Sequence, residues 1–393
     1  MNSIFANRIS DVPRSFIREI LKVALDHSVI SFAGGLPNRE LFPVEEIKKA
    51  TNKVFEIYGS DIFQYSNSEG YSGLREMIAG RYFEKRKLKI PIENILITNG
   101  SQQGLDLLGK ILVNKGEGVI IEEPGYLGAI QAFSIFKPTF YPVAVTGEGM
   151  SIKRLKSVMS STKPKLMYTV PNFQNPSGIS YSEKNRYEIA DILENTSTLL
   201  IEDDPYGDLQ YSGTCKPSFK TILPKNTVLL GSFSKTIIPG FRLGWIVAPD
   251  NIMEKLIIAK QASDLHTSHF TQCIIYQYLK DNDLEAHISK IREVYGIQLK
   301  AMLDSIKRYF PEEVSFTHPQ GGMFLWVTLP ENTSSRELLD LAIRDKVIFV
   351  PGEPFYVHWH QTNTLRLNFS CVDEETIQVG IQKLGNAIKQ LLI

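Results

Sequence analysis

One segment of the sequence places reactive and charged side chains among small and apolar residues. GSFSKTIIPGFRLGW, residues 231–245, holds Lys235 and Arg242 in a stretch that otherwise looks buried. Lysine and arginine are rarely fully buried unless they are paired. An arginine can bind a phosphate, and a partly desolvated lysine has a lowered pKa that leaves its amine able to condense with an aldehyde. The segment therefore indicates a phosphate site with a Schiff-base lysine, or a plain ion pair for Lys235.

Other polar groups follow apolar segments elsewhere in the chain. Ser101 follows the segment 94–98 and precedes a helical pattern, so it is either a helix N-cap or a phosphate ligand. Asp203 ends the segment 198–203, where an unpaired carboxylate would be costly, and it could face a pyridinium nitrogen. Its neighbour Asp204 is expected to face solvent. The other candidates are further phosphate ligands (Ser232, Ser234), donors to a phenolic oxygen (Tyr206, Asn175) and an aromatic ring that either stacks on a cofactor or belongs to the core (Tyr126).

The apolar segments predict the fold that would bring these groups together. Near-continuous apolar runs alternate with helical patterns at 102–112 and 182–193, which is typical of a parallel sheet covered on both faces. The sequence therefore predicts an α/β sandwich with a mostly parallel sheet over about 60–280. In such sheets ligands bind at the carboxyl ends of the strands, so the candidate groups are expected to meet at one edge. The predicted strands are 94–98, 118–122, 165–170, 198–203, 227–232 and 244–248.

The pattern changes near residue 284, where a long amphipathic helix over 284–310 leads into GGMFLWVTL, KVIFV and TLRLNFS. This predicts a smaller α+β domain after the α/β domain. We predict an N-terminal segment at 1–57, with a helix over 44–58, that packs with the small domain or bridges to a partner. A large cofactor-binding domain follows at 58–283 and a small C-terminal domain at 284–393.

Composition excludes several classes of protein. The 393 residues carry no net formal charge, so nothing supports binding to nucleic acid or to a membrane surface. Three scattered cysteines do not form a disulfide framework or a zinc motif. HWH at 358–360 offers too few ligands for a metal. Without a leader or a long apolar run, the sequence predicts a cytoplasmic protein that binds no metal.

Together the candidate groups describe a site for pyridoxal phosphate. The chain resembles the fold-type I pyridoxal-phosphate aminotransferases of class I/II, most closely the branch of 2-aminoadipate and kynurenine aminotransferases. The matching motifs span residues 32–369 and follow one another in the same order as in the family. The resemblance is carried by FAGGLPNRELFP, FQYSNSEGYSGLREMIA, TNGSQQGLDLL, EEPGYLGAIQAF, PNFQNPSG, IEDDPYGDL, GSFSKTIIPGFRLGW, PQGGMFLW and LRLNF.

The resemblance implies a role for each candidate residue. Lys235 would form the Schiff base with the cofactor and transfer protons, and Asp203 would pair with the pyridine nitrogen. Arg366 in LRLNF would bind the substrate α-carboxylate; from the residues alone, an edge-strand salt bridge is the competing interpretation. The remaining implied contacts are phosphate ligands (Ser101, Gln102, Ser232, Arg242), groups that hold the ring hydroxyl (Asn175, Tyr206), a stacking ring (Tyr126) and assistance at the substrate carboxylate (Gly35, Asn175).

The resemblance also implies an assembly and a reaction. Tyr65 in FQYSNSEG would reach the phosphate of the neighbouring subunit, which implies a homodimer with active sites at the subunit interface. Arg18 would contact the substrate side chain, or it is a helix-surface arginine. The implied reaction is transamination between an L-amino acid of the 2-aminoadipate, aromatic or branched-chain type and a 2-oxo acid, expected to be 2-oxoglutarate.

Two alternatives stay open at this point. A pyridoxal-phosphate β-lyase or decarboxylase could use the same scaffold, and only transamination would accumulate pyridoxamine phosphate. A ligand-sensing module of a winged-helix regulator would need a DNA-binding domain of about 70 residues before FAGGLP. In this sequence 31 residues precede that motif.

Overall fold

The computed structural model describes residues 4–10, 26, 28–358 and 361–393. Its strands are β1 Ile30–Ser31, β2 Ile95–Thr98, β3 Gly118–Glu123, β4 Thr139–Thr146, β5 Gly149–Met150, β6 Leu166–Thr169, β7 Leu199–Asp203, β8 Thr227–Ser232, β9 Gly244–Val247, β10 Ser315–Phe316, β11 Phe324–Thr328, β12 Val347–Ile348, β13 Val350–Pro351 and β14 Thr364–Asn368. Its helices are α1 Asn7–Ser10, α2 Val44–Tyr58, α3 Ser72–Arg86, α4 Ser101–Leu112, α5 Leu127–Ser134, α6 Ile152–Ser161, α7 Glu183–Leu193, α8 Phe219–Ile222, α9 Asp250–Asp264, α10 His269–Asp281, α11 Leu284–Tyr309, α12 Ser335–Arg344 and α13 Glu374–Leu391.

The main sheet has eight strands in the order β2-β9-β8-β7-β6-β3-β4-β5. The pairs along β8-β7-β6-β3-β4 are parallel, whereas β9 runs antiparallel to both β2 and β8. The predicted mostly parallel sheet is confirmed, and all six predicted strands belong to it. β4 was not predicted, because its residues are largely half-buried or exposed and Pro142 interrupts the apolar run.

Helices cover both faces of the main sheet, and strand alternation decides which side chains each face receives. Tyr168 of β6 points into the core that contains Leu105 of α4 and Phe133 of α5. Its neighbour Met167 packs on the opposite face with Ile189 of α7. Because successive side chains of a strand point to opposite faces, both layers are apolar while the strand ends remain available for polar groups.

A second, smaller sheet has the antiparallel order β10-β11-β14-β13. Helix α13 packs against α11. β1 forms a parallel pair with β12, which ties residues 30–31 to this part of the chain. Helix α2 instead packs against α10 beside the main sheet. The segment 1–57 therefore contacts both parts of the chain: β1 pairs with β12, whereas α2 packs against α10.

Within the described ranges, no helix is both long enough and apolar enough to cross a membrane.

Candidate active site

A cavity of about 250 Å³ opens at the carboxyl edge of the main sheet. Every predicted site residue that the structure describes, except Tyr65, lines it, together with Val170 and Pro205. The predicted residues brought together are Gly35, Ser101, Gln102, Tyr126, Asn175, Asp203, Tyr206, Ser232, Ser234, Lys235, Arg242 and Arg366.

The sheet topology explains why these distant residues meet. Asp203 and Ser232 are the last residues of β7 and β8, which are parallel neighbours. Asn175 follows β6 on the other side of β7. β2 is antiparallel to β9, as is β8, so β2 and β8 run in the same direction and Ser101 starts its helix at the same edge.

Asp203 presents an unsatisfied oxygen at this site. The side chain is 2% exposed, and its Oδ2 accepts a hydrogen bond from the Tyr168 hydroxyl at 2.8 Å. Its Oδ1 is buried without a hydrogen-bond partner among the described residues. Burial raises the pKa of Asp203 to about 7, the Tyr168 bond opposes this, and the charges of Asp204 and Glu122 add to it. A buried carboxylate oxygen without a donor fits a protonated ring nitrogen.

Lys235 is partly buried, and its Nζ donates to the backbone oxygen of Gly35 at 2.7 Å. Desolvation lowers the pKa of Lys235 to about 8; Cys371 opposes the shift, while Arg366 and Arg242 add to it. Among the described residues no carboxylate lies within ion-pair distance of Lys235, so the ion-pair interpretation finds no partner. The lowered pKa leaves a larger neutral fraction of this amine than of an ordinary lysine, which suits condensation with an aldehyde.

The start of α4 and the segment after β8 form a cradle for an anion. Gly100 has a φ of 76°, and a Cβ placed there would lie 2.4 Å from Nη2 of Arg242. The guanidinium therefore lies directly over the helix start, where unpaired N–H groups favour an anion. Ser234 donates its backbone N–H to Ser232 Oγ at 3.1 Å, and the two hydroxyls are 2.9 Å apart. Arg242 itself is exposed, contrary to the expectation of a buried cation.

Arg366 lies in β14 and is 4% exposed. It donates from Nη1 to Asn175 Oδ1 at 2.8 Å and from Nη2 to the Ala33 oxygen at 2.7 Å. Its guanidinium carbon lies 4.4 Å from the ring centre of Phe324, and Nε has no hydrogen-bond partner in the described structure. No carboxylate of the described residues pairs with Arg366, so the competing interpretation of an edge-strand salt bridge is not supported. Burial lowers the pKa of Arg366 to about 10, and the site offers a positioned cation for a carboxylate.

Two tyrosines complete the walls of the cavity. Burial raises the pKa of Tyr126 to about 12 and that of Tyr206 well above its usual range, so both remain neutral hydrogen-bond donors. Tyr206 meets Phe324 edge to face, with ring centres 5.9 Å apart. The Tyr126 hydroxyl lies 3.5 Å from Gln102 Oε1, and Gln102 Nε2 donates to the Gly128 oxygen at 2.8 Å. Gln102 is thus held beside the anion cradle.

The structure corrects the prediction for Asp204. Its carboxylate is buried and forms an ion pair with Arg86 of α3. It also accepts a hydrogen bond from Asn172 Nδ2 at 2.8 Å. These positive and polar partners outweigh desolvation and lower the pKa of Asp204. Two adjacent acids at a strand end point to opposite faces, so Asp203 reaches the cavity while Asp204 anchors α3.

Sequence reasoning also missed a buried carboxylate next to the site. Glu122 at the end of β3 is 1% exposed and stabilises the loop that carries Asn175. It accepts hydrogen bonds from Thr169 Oγ1 and the Tyr181 hydroxyl at 2.8 Å and from Val170 N and Gln174 Nε2 at 3.0 Å. The signal was a glutamate ending an apolar strand, the same signal that identified Asp203.

Tyr65 does not line the cavity of its own chain. Tyr65 is 79% exposed, and its ring meets His266 edge to face at 5.9 Å. Arg18 lies outside the described residues. In HWH, His358 is exposed and His360 is not described. The described residues contain no group of three or more histidine, cysteine or acidic side chains that could hold a metal ion.

Comparison with known proteins agrees with this geometry. The sequence model for aminotransferases of class I and II matches residues 28–384. The chain belongs to this family. It is 40% identical over 392 residues to aromatic-amino-acid aminotransferase 1 of Thermococcus litoralis, covering 98% of this chain and 94% of that protein. The aminotransferase fold type I and the transamination of amino acids are therefore properties of this chain.

Two solved aminotransferase structures match this aminotransferase along its length. A kynurenine aminotransferase of Pyrococcus horikoshii superposes with a TM-score of 0.95 at 39% identity, covering 99% of this chain and 98% of that one. An α-aminoadipate aminotransferase of Thermus thermophilus, complexed with N-(5'-phosphopyridoxyl)-L-leucine, superposes with a TM-score of 0.92 at 37% identity, covering 99% and 98%. The present chain is a pyridoxal-phosphate-dependent aminotransferase.

Proposed function

We propose that this aminotransferase moves the amino group of an L-amino acid of the 2-aminoadipate, aromatic or branched-chain type to a 2-oxo acid, with 2-oxoglutarate as the acceptor. The observation that carries the proposal is that Oδ1 of Asp203, which has no hydrogen-bond partner among the described residues, lies in one cavity with the amine of Lys235. The named specificities of the similar aminotransferases support the donor class.

We assign the chemistry as follows. When bound, pyridoxal phosphate supplies an aldehyde for the amine and a ring that accepts negative charge. Lys235 would hold that aldehyde through its amine, and the same amine would move the substrate α-proton. Asp203 holds a proton at the ring nitrogen, and Tyr206 and Asn175 hold the ring hydroxyl. Arg366 binds the substrate carboxylate, because its position is set by Asn175 and Ala33 before any substrate arrives.

The phosphate is assigned to the cradle at the start of α4. Backbone N–H groups there, the serine hydroxyls and the Arg242 guanidinium offer charge and donors from several directions. Tyr126 is assigned to the ring face and Gly35 to the substrate carboxylate. The ligands proposed for the phosphate are Ser101, Gln102, Ser232, Ser234 and Arg242.

We also propose a homodimer in which Tyr65 completes the partner's phosphate site. Tyr65 is exposed and lies away from its own chain's cavity. Beside it the rings of Phe55, Phe63 and Phe270 cluster with centres 5.3–6.1 Å apart, and Phe63 is 71% exposed. We call these three residues the aromatic patch. An exposed cluster of large apolar side chains favours burial against another protein surface.

Three further assignments remain proposals. Arg18 is proposed to contact the substrate side chain, the domain boundaries to fall at 57/58 and 283/284, and the protein to reside in the cytoplasm. Sparse unpaired cysteines support a reducing compartment.

The experiment is a half-reaction. The holoenzyme is mixed with single amino acids, without a 2-oxo acid, and the cofactor is extracted and identified. We expect pyridoxamine phosphate and one equivalent of 2-oxo acid from the preferred donors, and recovery of pyridoxal phosphate when 2-oxoglutarate is added. Carbon dioxide release or β-elimination without pyridoxamine phosphate would instead identify a decarboxylase or β-lyase.

A further inference from the structure

The carboxylate of Asp203 is asymmetrically satisfied, and one buried tyrosine causes the asymmetry. Oδ2 accepts from the Tyr168 hydroxyl at 2.8 Å, whereas Oδ1 is buried without a partner in the described part of the chain. The strand register places the two side chains together. Tyr168 of β6 pairs with Ile201 of β7, and Asp203 is two residues further along the same face. A tyrosine is long enough to span this diagonal.

Tyr168 is fixed in place and remains a donor. Its side chain is fully buried, and its ring meets Phe133 edge to face with centres 6.1 Å apart. Burial, together with the negative charge of Asp203, raises the pKa of Tyr168 well above its usual range. The phenol is therefore neutral at every pH at which the enzyme would work. Its hydrogen points at Oδ2 of Asp203.

We propose that Tyr168 is a positioning residue for the cofactor: its hydroxyl occupies Oδ2 of Asp203, so that the carboxylate stays ionised and presents Oδ1 to the ring nitrogen of pyridoxal phosphate. This inference rests on the role proposed above for Asp203. Tyr168 itself does not line the cavity.

The electrostatics around Asp203 explain why one donor matters. Negative charge on Asp204 or Glu122 opposes ionisation of Asp203, and Tyr126 and Tyr206 are neutral phenols nearby. Burial acts in the same direction, and the Tyr168 bond is the side-chain hydrogen bond that lowers the pKa of Asp203. Without that bond the shared proton would move from the ring nitrogen to the carboxyl group, and the ring would lose its positive charge.

The test compares two buried tyrosines in the holoenzyme. Tyr168→Phe removes the donor to Asp203, and Tyr181→Phe removes a phenol that donates to Glu122 at the same distance of 2.8 Å. Holoenzymes carrying cofactor labelled with ¹⁵N at the ring nitrogen are studied by NMR across pH. Cofactor affinity is measured by equilibrium dialysis, and kcat and KM are measured with one amino donor.

In Tyr168→Phe we expect the ¹⁵N signal to move toward the neutral pyridine position, cofactor to bind about tenfold more weakly and kcat to fall with little change in KM. Tyr181→Phe should retain the wild-type ¹⁵N signal. A Tyr168→Phe holoenzyme with a wild-type ¹⁵N signal and cofactor affinity within about twofold would overturn the inference.

Two further variants distinguish a folding defect in Tyr168→Phe, an error in the role of Asp203 and an error in the role of Tyr168. If Tyr168→Phe does not fold, 3-fluorotyrosine at position 168 keeps the shape and strengthens the donor. The inference then expects at least as much ring protonation as in wild type, and a loss of protonation contradicts it. Asp203→Asn is measured in parallel. If Asp203→Asn also leaves the ¹⁵N signal unchanged, the role proposed for Asp203 is wrong; if only Tyr168→Phe does, the present inference alone is wrong.

Discussion

At the scale of single residues, burial alone does not identify the reactive lysine. Desolvation lowers the pKa of both Lys220 and Lys235 to about 8. Lys220, however, donates to the backbone oxygens of Pro224 and Thr227 at 2.6 and 2.7 Å, in the interior beside β8. Lys235 lies in the cavity, and among the described residues its amine donates only to the backbone oxygen of Gly35. The two lysines therefore differ in their surroundings and not in the direction of their pKa shifts.

The lowered pKa of Lys235 predicts how the enzyme takes up its cofactor. The neutral amine is the nucleophile, and its fraction rises with pH through the pKa of about 8. We expect the rate at which cofactor-free protein binds pyridoxal phosphate covalently to rise with pH and level off above about pH 8, measured by stopped-flow absorbance. A rate that continues to rise toward pH 10, as for an ordinary lysine, would show that the site does not desolvate this amine.

Arg366 gives a prediction about substrate binding. In Arg366→Lys the charge remains, but the planar guanidinium that donates to Asn175 and Ala33 is lost. We expect kcat/KM for the amino donor to fall about 10-fold to 100-fold, mostly through KM, from steady-state kinetics. Arg344→Lys on the exposed face of α12 is the control and should behave as wild type. An unchanged KM in Arg366→Lys would assign the carboxylate to another group.

At the scale of elements, the strands and their polar ends could be predicted from sequence. β8 matches its predicted bounds, and β7 differs by one residue, because continuous apolar runs identify strands that are buried on both faces. The antiparallel direction of β9 could not be predicted, since a buried strand has the same composition in either direction. The order of the strands in the sheet could not be predicted from the sequence either, because it depends on long-range packing.

Some residues of the candidate site could be predicted from the sequence, and others could not. Lys235 and Asp203 were predictable because their residue types stand out within apolar segments. The ion pair of Asp204 with Arg86 was not, because the two residues are 118 positions apart and nothing local marks them as partners. The hydrogen bond between Tyr168 and Asp203 was missed for a related reason. A tyrosine in an apolar run looks like core, and only the strand register shows that it reaches the carboxylate.

The turn before α4 gives a prediction at this scale. Gly100 and Gly116 both have positive φ angles, 76° and 83°, which residues other than glycine rarely adopt, so alanine strains either backbone by about 1–3 kcal/mol. A Cβ at Gly100 would also clash with Arg242, whereas a Cβ at Gly116 has no described atom within 4 Å. We therefore expect both Gly100→Ala and Gly116→Ala to lose stability, Gly100→Ala more than Gly116→Ala, measured by urea unfolding. Only Gly100→Ala should weaken cofactor binding, by about tenfold or more. Equal cofactor affinity in both variants would contradict the assignment of the cofactor phosphate to the cradle at the start of α4.

At the scale of the whole molecule, one chain does not supply every proposed ligand. Tyr65 follows Phe63 of the aromatic patch by two residues, and none of these residues lines the cavity of its own chain. In the proposed two-fold dimer the same surface is buried on both subunits, and Tyr65 is assigned to the partner's phosphate site. Under this proposal the active site is completed only in the dimer.

Subunit complementation tests this arrangement. Tyr65→Ala and Lys235→Ala chains are each expected to be impaired alone. When they are co-expressed, hybrid dimers contain one site with both wild-type residues, so random pairing should restore about a quarter of wild-type activity. Phe63→Glu should dissociate the dimer in light scattering, while Val379→Glu, which changes a half-exposed residue on α13, should not. No recovery on co-expression would mean that Tyr65 acts within its own chain or not at all.

The central claim is that one particular amine holds the cofactor. Borohydride reduction of the purified holoenzyme, followed by peptide mapping by mass spectrometry, tests it most directly. We predict one phosphopyridoxyl group per chain, attached at Lys235, and none in Lys235→Ala. Attachment at Lys220 or Lys260, or no incorporation at all, would contradict the account.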